Sequence, residues 1–89
     1  MTATLYVDVD DTLVHWLGHR EGPHPYGIGA ERWEKNEGVF AVADEWLRSG
    51  RRVVVWSGGG AEYAGLWAQR FWPNWPTGLE YAADRKSVV

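Results

Sequence analysis

Apolar positions along this chain fall into blocks with two different periods. Residues 4–9, TLYVDV, gather Leu5, Tyr6, Val7 and Val9 into a short run of aromatic and β-branched side chains, which predicts a strand. From 39 to 49, VFAVADEWLRS repeats apolar residues at Val39, Phe40, Ala43, Trp46 and Leu47. That is the one-sided i, i+1, i+4, i+7, i+8 spacing of an amphipathic helix. Gly50 stands where a left-handed C-terminal cap is expected. Arg48, Arg51 and Arg52 put positive charge near that end, and Arg51 and Arg52 read as a solvated helix terminus. VVVW, residues 53–56, is apolar without interruption, as suits a parallel strand covered on both faces. SGGG, 57–60, breaks it. A second helix is expected over 61–72 with Tyr63, Leu66, Trp67 and Phe71 on its apolar side, ended by Pro73 and Pro76. LEYAA, 79–83, predicts a third strand. Residues 14–38 hold most of the glycine and proline and read as an irregular, flap-like excursion with a short helix around Glu31–Lys35.

The order strand, excursion, helix, strand, helix, strand predicts an α/β fold: a minimal Rossmann-like parallel sheet with right-handed crossovers. At 89 residues the chain is expected to form one domain, and the 14–38 segment is too short for an independent cap. In open α/β sheets, sites form beyond the carboxyl ends of the strands. That rule brings Asp8, Asp10, Ser57 and the Asp84–Lys86 segment to one end of the sheet.

Composition narrows the function classes. There is no cysteine, so disulfides and thiolate metal sites are excluded, and a reducing, cytoplasmic setting fits. No apolar run is long enough for a transmembrane helix, and no signal peptide is visible. A formal charge of −3 gives no electrostatic reason to expect nucleic acid. Seven tryptophans supply core volume, a binding surface or an oligomer contact. Trp33, Trp46, Trp56 and Trp67 are expected in the core or at an oligomer contact, whereas Trp72 and Trp75 flank prolines and are expected to form an exposed patch.

The candidate chemistry lies in DVDDT, residues 8–12. Clustered carboxylates at the end of an apolar strand repel one another and need a cation, backbone donors or water. With a divalent cation to screen a phosphate, Asp8 is a possible nucleophile. Asp10 is spaced to donate a proton to the leaving oxygen. Thr12 can brace the turn. Ser57 followed by Gly58 offers a hydroxyl and unobstructed N–H groups to a phosphate, and Lys86 a point charge. The plainer alternatives are a hydrated acidic turn, a simple strand-to-helix turn and a solvated lysine. Asp11 is expected to face solvent. An EF-hand loop and a Walker loop are both ruled out by spacing. His15, His19 and His24 lack the spacing of a helical zinc pair and are expected at the surface.

These residues resemble a known family. DVDDTLV is similar to the first motif of the haloacid dehalogenase-like phosphohydrolases, an apolar strand followed by Asp-x-Asp-x-Thr-Leu/Val. VVVWSGG resembles the second motif, and LEYAADRK the third strand with its following lysine. The resemblance implies Mg²⁺-dependent phosphoryl transfer through an aspartyl-phosphate. Asp8 would be nucleophile and metal ligand, and Asp10 the general acid/base, also binding the metal through its backbone carbonyl. Ser57 and Lys86 would hold the phosphoryl group. The family's fourth motif, an acidic pair on a further strand, has no counterpart after Lys86, and Asp84 is a poor match for it. In the family that further strand lies beside the first. Its absence here implies an open edge on strand 4–9 and association into a homo-oligomer. The alternative is a catalytically inactive domain serving as a self-associating or protein-binding module.

Overall fold

The computed structural model describes residues 3–16 and 33–84. The elements in chain order are β1 (Thr4–Asp8), β2 (Val14–Trp16), β3 (Trp33–Lys35), α1 (Glu37–Arg48), β4 (Arg52–Trp56), α2 (Ala61–Phe71) and β5 (Leu79–Ala82). β1, β4 and β5 form a three-stranded parallel sheet in the order β1-β4-β5. This is the α/β, minimal Rossmann-like layout that the sequence pattern predicts.

The 14–38 segment differs from expectation. Its ends pair as an antiparallel ladder, Val14 with Lys35 and Trp16 with Trp33. Residues 33–35 are therefore strand where the end of a short helix was expected. A hydrogen bond from the Asn36 N–H to the Leu13 carbonyl, 2.9 Å, continues that closure. His19 and His24 lie outside the described residues. His15 is exposed on β2, as expected.

β4 is buried on both faces, as its uninterrupted apolar run predicts, with Val53, Val54 and Val55 fully buried, but among the described residues both helices lie on one side of the sheet. Both crossovers step in the same direction across the sheet, so right-handed connections put both helices on one face. The contacts agree: Phe40 of α1 stacks on Trp72 just after α2, with ring centroids 5.0 Å apart. The Trp72 indole N–H also donates to Asp44 Oδ1 at 3.2 Å. Leu5, Val7, Val53, Val55 and Leu79 share the helix-facing side by register. Val7, Val53, Val55 and Leu79 join one core with Ala43, Leu47, Ala64, Trp67 and Trp72. Trp72 is thus a core residue and not part of an exposed patch, and Trp75 is half-buried. On the other face, Val54 sits between Tyr6 and Glu80 in register and is still fully buried. Arg52 on that face forms a two-pronged ion pair with Glu80, one hydrogen bond being 2.9 Å. It is a sheet residue and not part of a solvated helix end.

Helix α1 begins earlier than its apolar stripe because Asn36 caps it, its side-chain oxygen accepting the Val39 N–H at 3.2 Å. It ends in a Schellman motif: Gly50 (φ 83°) donates to the Leu47 carbonyl, and Arg51 to that of Trp46. The Arg51 guanidinium lies 4.9 Å from the Trp46 ring centroid, so the same turn carries a cation–π contact.

Candidate active site

β1 and β4 are paired so that Asp8 lies beside Trp56. Ser57 is one residue further, and the Val9 N–H donates to the Trp56 carbonyl at 3.1 Å. The carboxyl ends of the two strands are therefore level. Beyond them each chain turns sharply. After β1 the Thr12 and Val14 N–H groups both donate to the Val9 carbonyl, and the Leu13 N–H to that of Asp8 at 3.1 Å. This tight winding buries Val9, Leu13 and Val14 and leaves Asp8, Asp10 and Thr12 half-exposed. Asp11 occupies the left-handed region at φ 62°, which aspartate tolerates, and faces solvent as expected.

After β4, Ser57 is completely buried, and its Oγ accepts the Gly59 N–H at 3.0 Å. The Gly60 N–H returns to the Ser57 carbonyl at 3.1 Å. A side chain at Gly59 would sit 3.3 Å from the Tyr63 ring and 3.4 Å from Ser57 Oγ, so this turn is tightly packed. Gly58 is exposed.

Tyr63 joins the two turns. It lies in the first turn of α2 with its ring against Gly59, and its hydroxyl donates to Asp10 Oδ1 at 2.9 Å. Nothing in the sequence marked it as more than an apolar helix residue. The usable signal is its place: the first turn of the helix that starts where β4 ends, on the same end of the sheet as Asp10.

Burial, and secondarily repulsion from Asp10 and Asp11, pushes the Asp8 carboxyl above its ordinary pKa, while a hydrogen bond from the Val9 backbone works in the opposite direction. A carboxylate in that position gains from a nearby cation. Asp8 and Asp10 are hard oxygen donors and fit Mg²⁺, which keeps several waters and needs only one or two carboxylates. Among the described residues no group of three or more His, Asp or Glu side chains converges as a metal site.

The remaining candidates are placed as follows. Asp84 lies just past β5, at the same end of the sheet as Asp8. β4 stands between β5 and β1, so the strand that leads to Asp84 is not the neighbour of the strand that carries Asp8. Lys86 lies outside the described residues. Thr12 lies on the far side of β1, where it lines a groove with Leu5, Val7 and Val39. No helix among the described residues is long and apolar enough to cross a membrane. Compared with protein-family models, with curated proteins and with solved structures, the chain matches none.

Proposed function

We propose that this chain is a Mg²⁺-dependent phosphomonoester hydrolase of the haloacid dehalogenase-like type, working through an aspartyl-phosphate on Asp8. The observation that supports it is the joining of the acidic turn after β1 to the serine-glycine turn after β4, through the hydrogen bond from Tyr63 to Asp10. Asp8 and Asp10 would hold the cation, which offsets the negative charge of carboxylates and phosphate in one place.

In this reading an Asp8 carboxylate oxygen attacks phosphorus as the bond to the ester oxygen breaks, and Asp10 gives that oxygen its proton. Asp10 then takes a proton from a water that attacks the phosphorus of the acyl phosphate. Inorganic phosphate leaves and the Asp8 carboxylate is restored. Tyr63 keeps Asp10 on the reacting side. Gly58 and the Ser57 hydroxyl receive the phosphoryl oxygens, which requires the turn over Ser57 to open. Lys86 supplies a compensating charge.

The test is hydrolysis of a generic aryl phosphate with Mg²⁺. The wild-type chain is expected to turn over and Asp8→Asn to abolish turnover. Tyr63→Phe is expected to retain about one tenth of the rate, since a hydrogen bond to a charged group contributes roughly 1.5 kcal/mol. Activity surviving in Asp8→Asn removes Asp8 from the nucleophile's role. A wild-type protein without turnover in Mg²⁺ assigns the domain to the non-catalytic alternative.

A further inference from the structure

The turn between α2 and β5 fixes two aromatic rings against each other. Carbonyls of Gly78 and Ala82 point to β4, accepting from Val53 and Ser57, so by strand alternation the backbone groups of Leu79 point outward. The Leu79 N–H is taken by the Pro76 carbonyl at 3.2 Å, and the Leu79 carbonyl by the Trp75 indole N–H at 3.1 Å. Trp75 itself sits at φ 47°, in the left-handed region that a bulky side chain rarely adopts, and its N–H donates to the Trp72 carbonyl at 2.9 Å. With backbone and indole both held, its ring stands at 90° to that of Tyr81, the centroids 5.8 Å apart. Helix α2 makes room for the second ring. Gly65, a poor helix former within that helix, lies where a β-carbon would come within 3.1 Å of the Tyr81 ring. A strained residue and a helix-weakening one thus set the same ring pair, and backbone strain of this kind gathers at ligand sites.

The two rings wall a surface cavity of about 460 Å³. Its other wall is one stripe of α2 at i, i+3, i+4 and i+7: Glu62, Gly65, Leu66 and Gln69. Shielding the Leu79 carbonyl needs only the Trp75 indole. It does not account for Tyr81 and Leu66, which stay 48 % and 38 % exposed on the cavity's two sides. Glu62 is the one charged residue among the described residues that line the cavity, and no Lys or Arg does so. Arg70, on the same helix, is turned over the Trp33 ring at 4.9 Å, beside the core.

We propose that this cavity binds a small organic cation with an apolar surface, of the alkylated ammonium class. Each wall selects that chemistry. The face of an aromatic ring is negative and attracts a cation within about 6 Å of its centroid, tryptophan most strongly. Two rings at a right angle and 5.8 Å apart let one cation stand within that reach of both. Leu66 and the bare helix backbone at Gly65 offer contact to N-methyl groups. A primary ammonium is strongly hydrated and would lose water there without replacement. Glu62 adds opposite charge at the rim. An anion would face both Glu62 and the negative ring faces, so it is disfavoured. A neutral apolar ligand would fill the same space but gain nothing from charge. None of this depends on the proposed hydrolase activity, whose acidic turn follows β1, the strand at the other edge of the sheet.

Heteronuclear NMR of the full chain tests it, with choline as the probe and, as control, its uncharged isostere in which a tert-butyl group replaces the trimethylammonium. Choline is expected to shift the Trp75 indole and Gly65 amide signals along one saturable curve, with a dissociation constant on the order of millimolar, as suits partly exposed ring contacts. The isostere is expected to bind about fivefold more weakly. Tyr81→Leu keeps an apolar side chain but removes the ring, and is expected to weaken choline about tenfold. Glu62→Gln, at an exposed position in the first turn of α2, is expected to weaken it about threefold. No saturable shift at tens of millimolar choline overturns the proposal, including where another segment already fills the cavity. So does equal binding of the isostere, or choline binding indifferent to both Tyr81→Leu and Glu62→Gln. Shifts centred on Asp8–Asp11 overturn it as well, since they would report plain attraction to the acidic turn.

Discussion

At the scale of single residues, the carboxylates after β1 are held at some expense to the fold. Asp8 is partly buried beside Asp10 and Asp11, so its ionised form is less favourable in the folded chain than in the unfolded one. The penalty is full above the raised folded pKa and vanishes below the unfolded value. Asp8→Asn is therefore expected to stabilise the protein slightly near neutral pH. The gain should fade as pH falls through the folded pKa of Asp8, which thermal melts over a pH series would show. A variant no more stable than wild type at neutral pH would contradict the burial argument. Glu80 is the opposite case. Its hydrogen bonds with Arg52 hold its pKa below the ordinary range, and they raise that of Arg52. The contribution of that pair is present above the unfolded pKa of Glu80 and is lost as pH falls through the folded one. Gly78 is constrained more severely. It sits at φ 96°, and a β-carbon there would lie 2.6 Å from the Arg51 carbonyl oxygen. Gly78→Ala is expected to cost about 2–3 kcal/mol in denaturant unfolding, from strain and from displacement of the β4–β5 ladder together.

At the scale of elements, the long periodic segments were legible and the short ones were not. Helix α1 followed its apolar stripe, and Gly50 marked its end. The start lay two residues before the stripe because the deciding signal was the Asn36 cap. Asn36→Ala should cost about 1 kcal/mol, measured by urea unfolding, while the exposed Glu45→Ala on the same helix should change little. β2 and β3 are three residues each, too short to carry an alternating pattern, and they face each other across a long separation in sequence. Such a ladder is defined by its partner and not by local preference. The reading of β4 as covered on both faces held, because an uninterrupted apolar run reports burial: Val53, Val54 and Val55 are all fully buried. The run did not report that, among the described residues, both helices lie on one side of the sheet.

At the scale of the whole molecule, one core on one side of the sheet carries the fold. Trp67 is fully buried there, 4.9 Å from Trp33 by ring centroids and packed against Phe71. Replacing it with alanine should cost about 3–5 kcal/mol. Since a domain of this size holds about 5–10 kcal/mol in total, Trp67→Ala should show a weak or broadened thermal transition by circular dichroism, whereas Trp46→Ala, half-buried at the helix end, should melt cooperatively. The order of the three parallel strands and two helices, the one-sided stripe of α1 and the acidic cluster at the end of β1 were all determined by sequence alone, because each rests on local spacing and backbone preference. The tertiary structure decided that Tyr63 reaches Asp10, that Trp72 lies inside, and that the outward backbone groups of Leu79 are taken by Pro76 and Trp75. Those features depend on register and crossover direction between distant segments, and no local pattern encodes them.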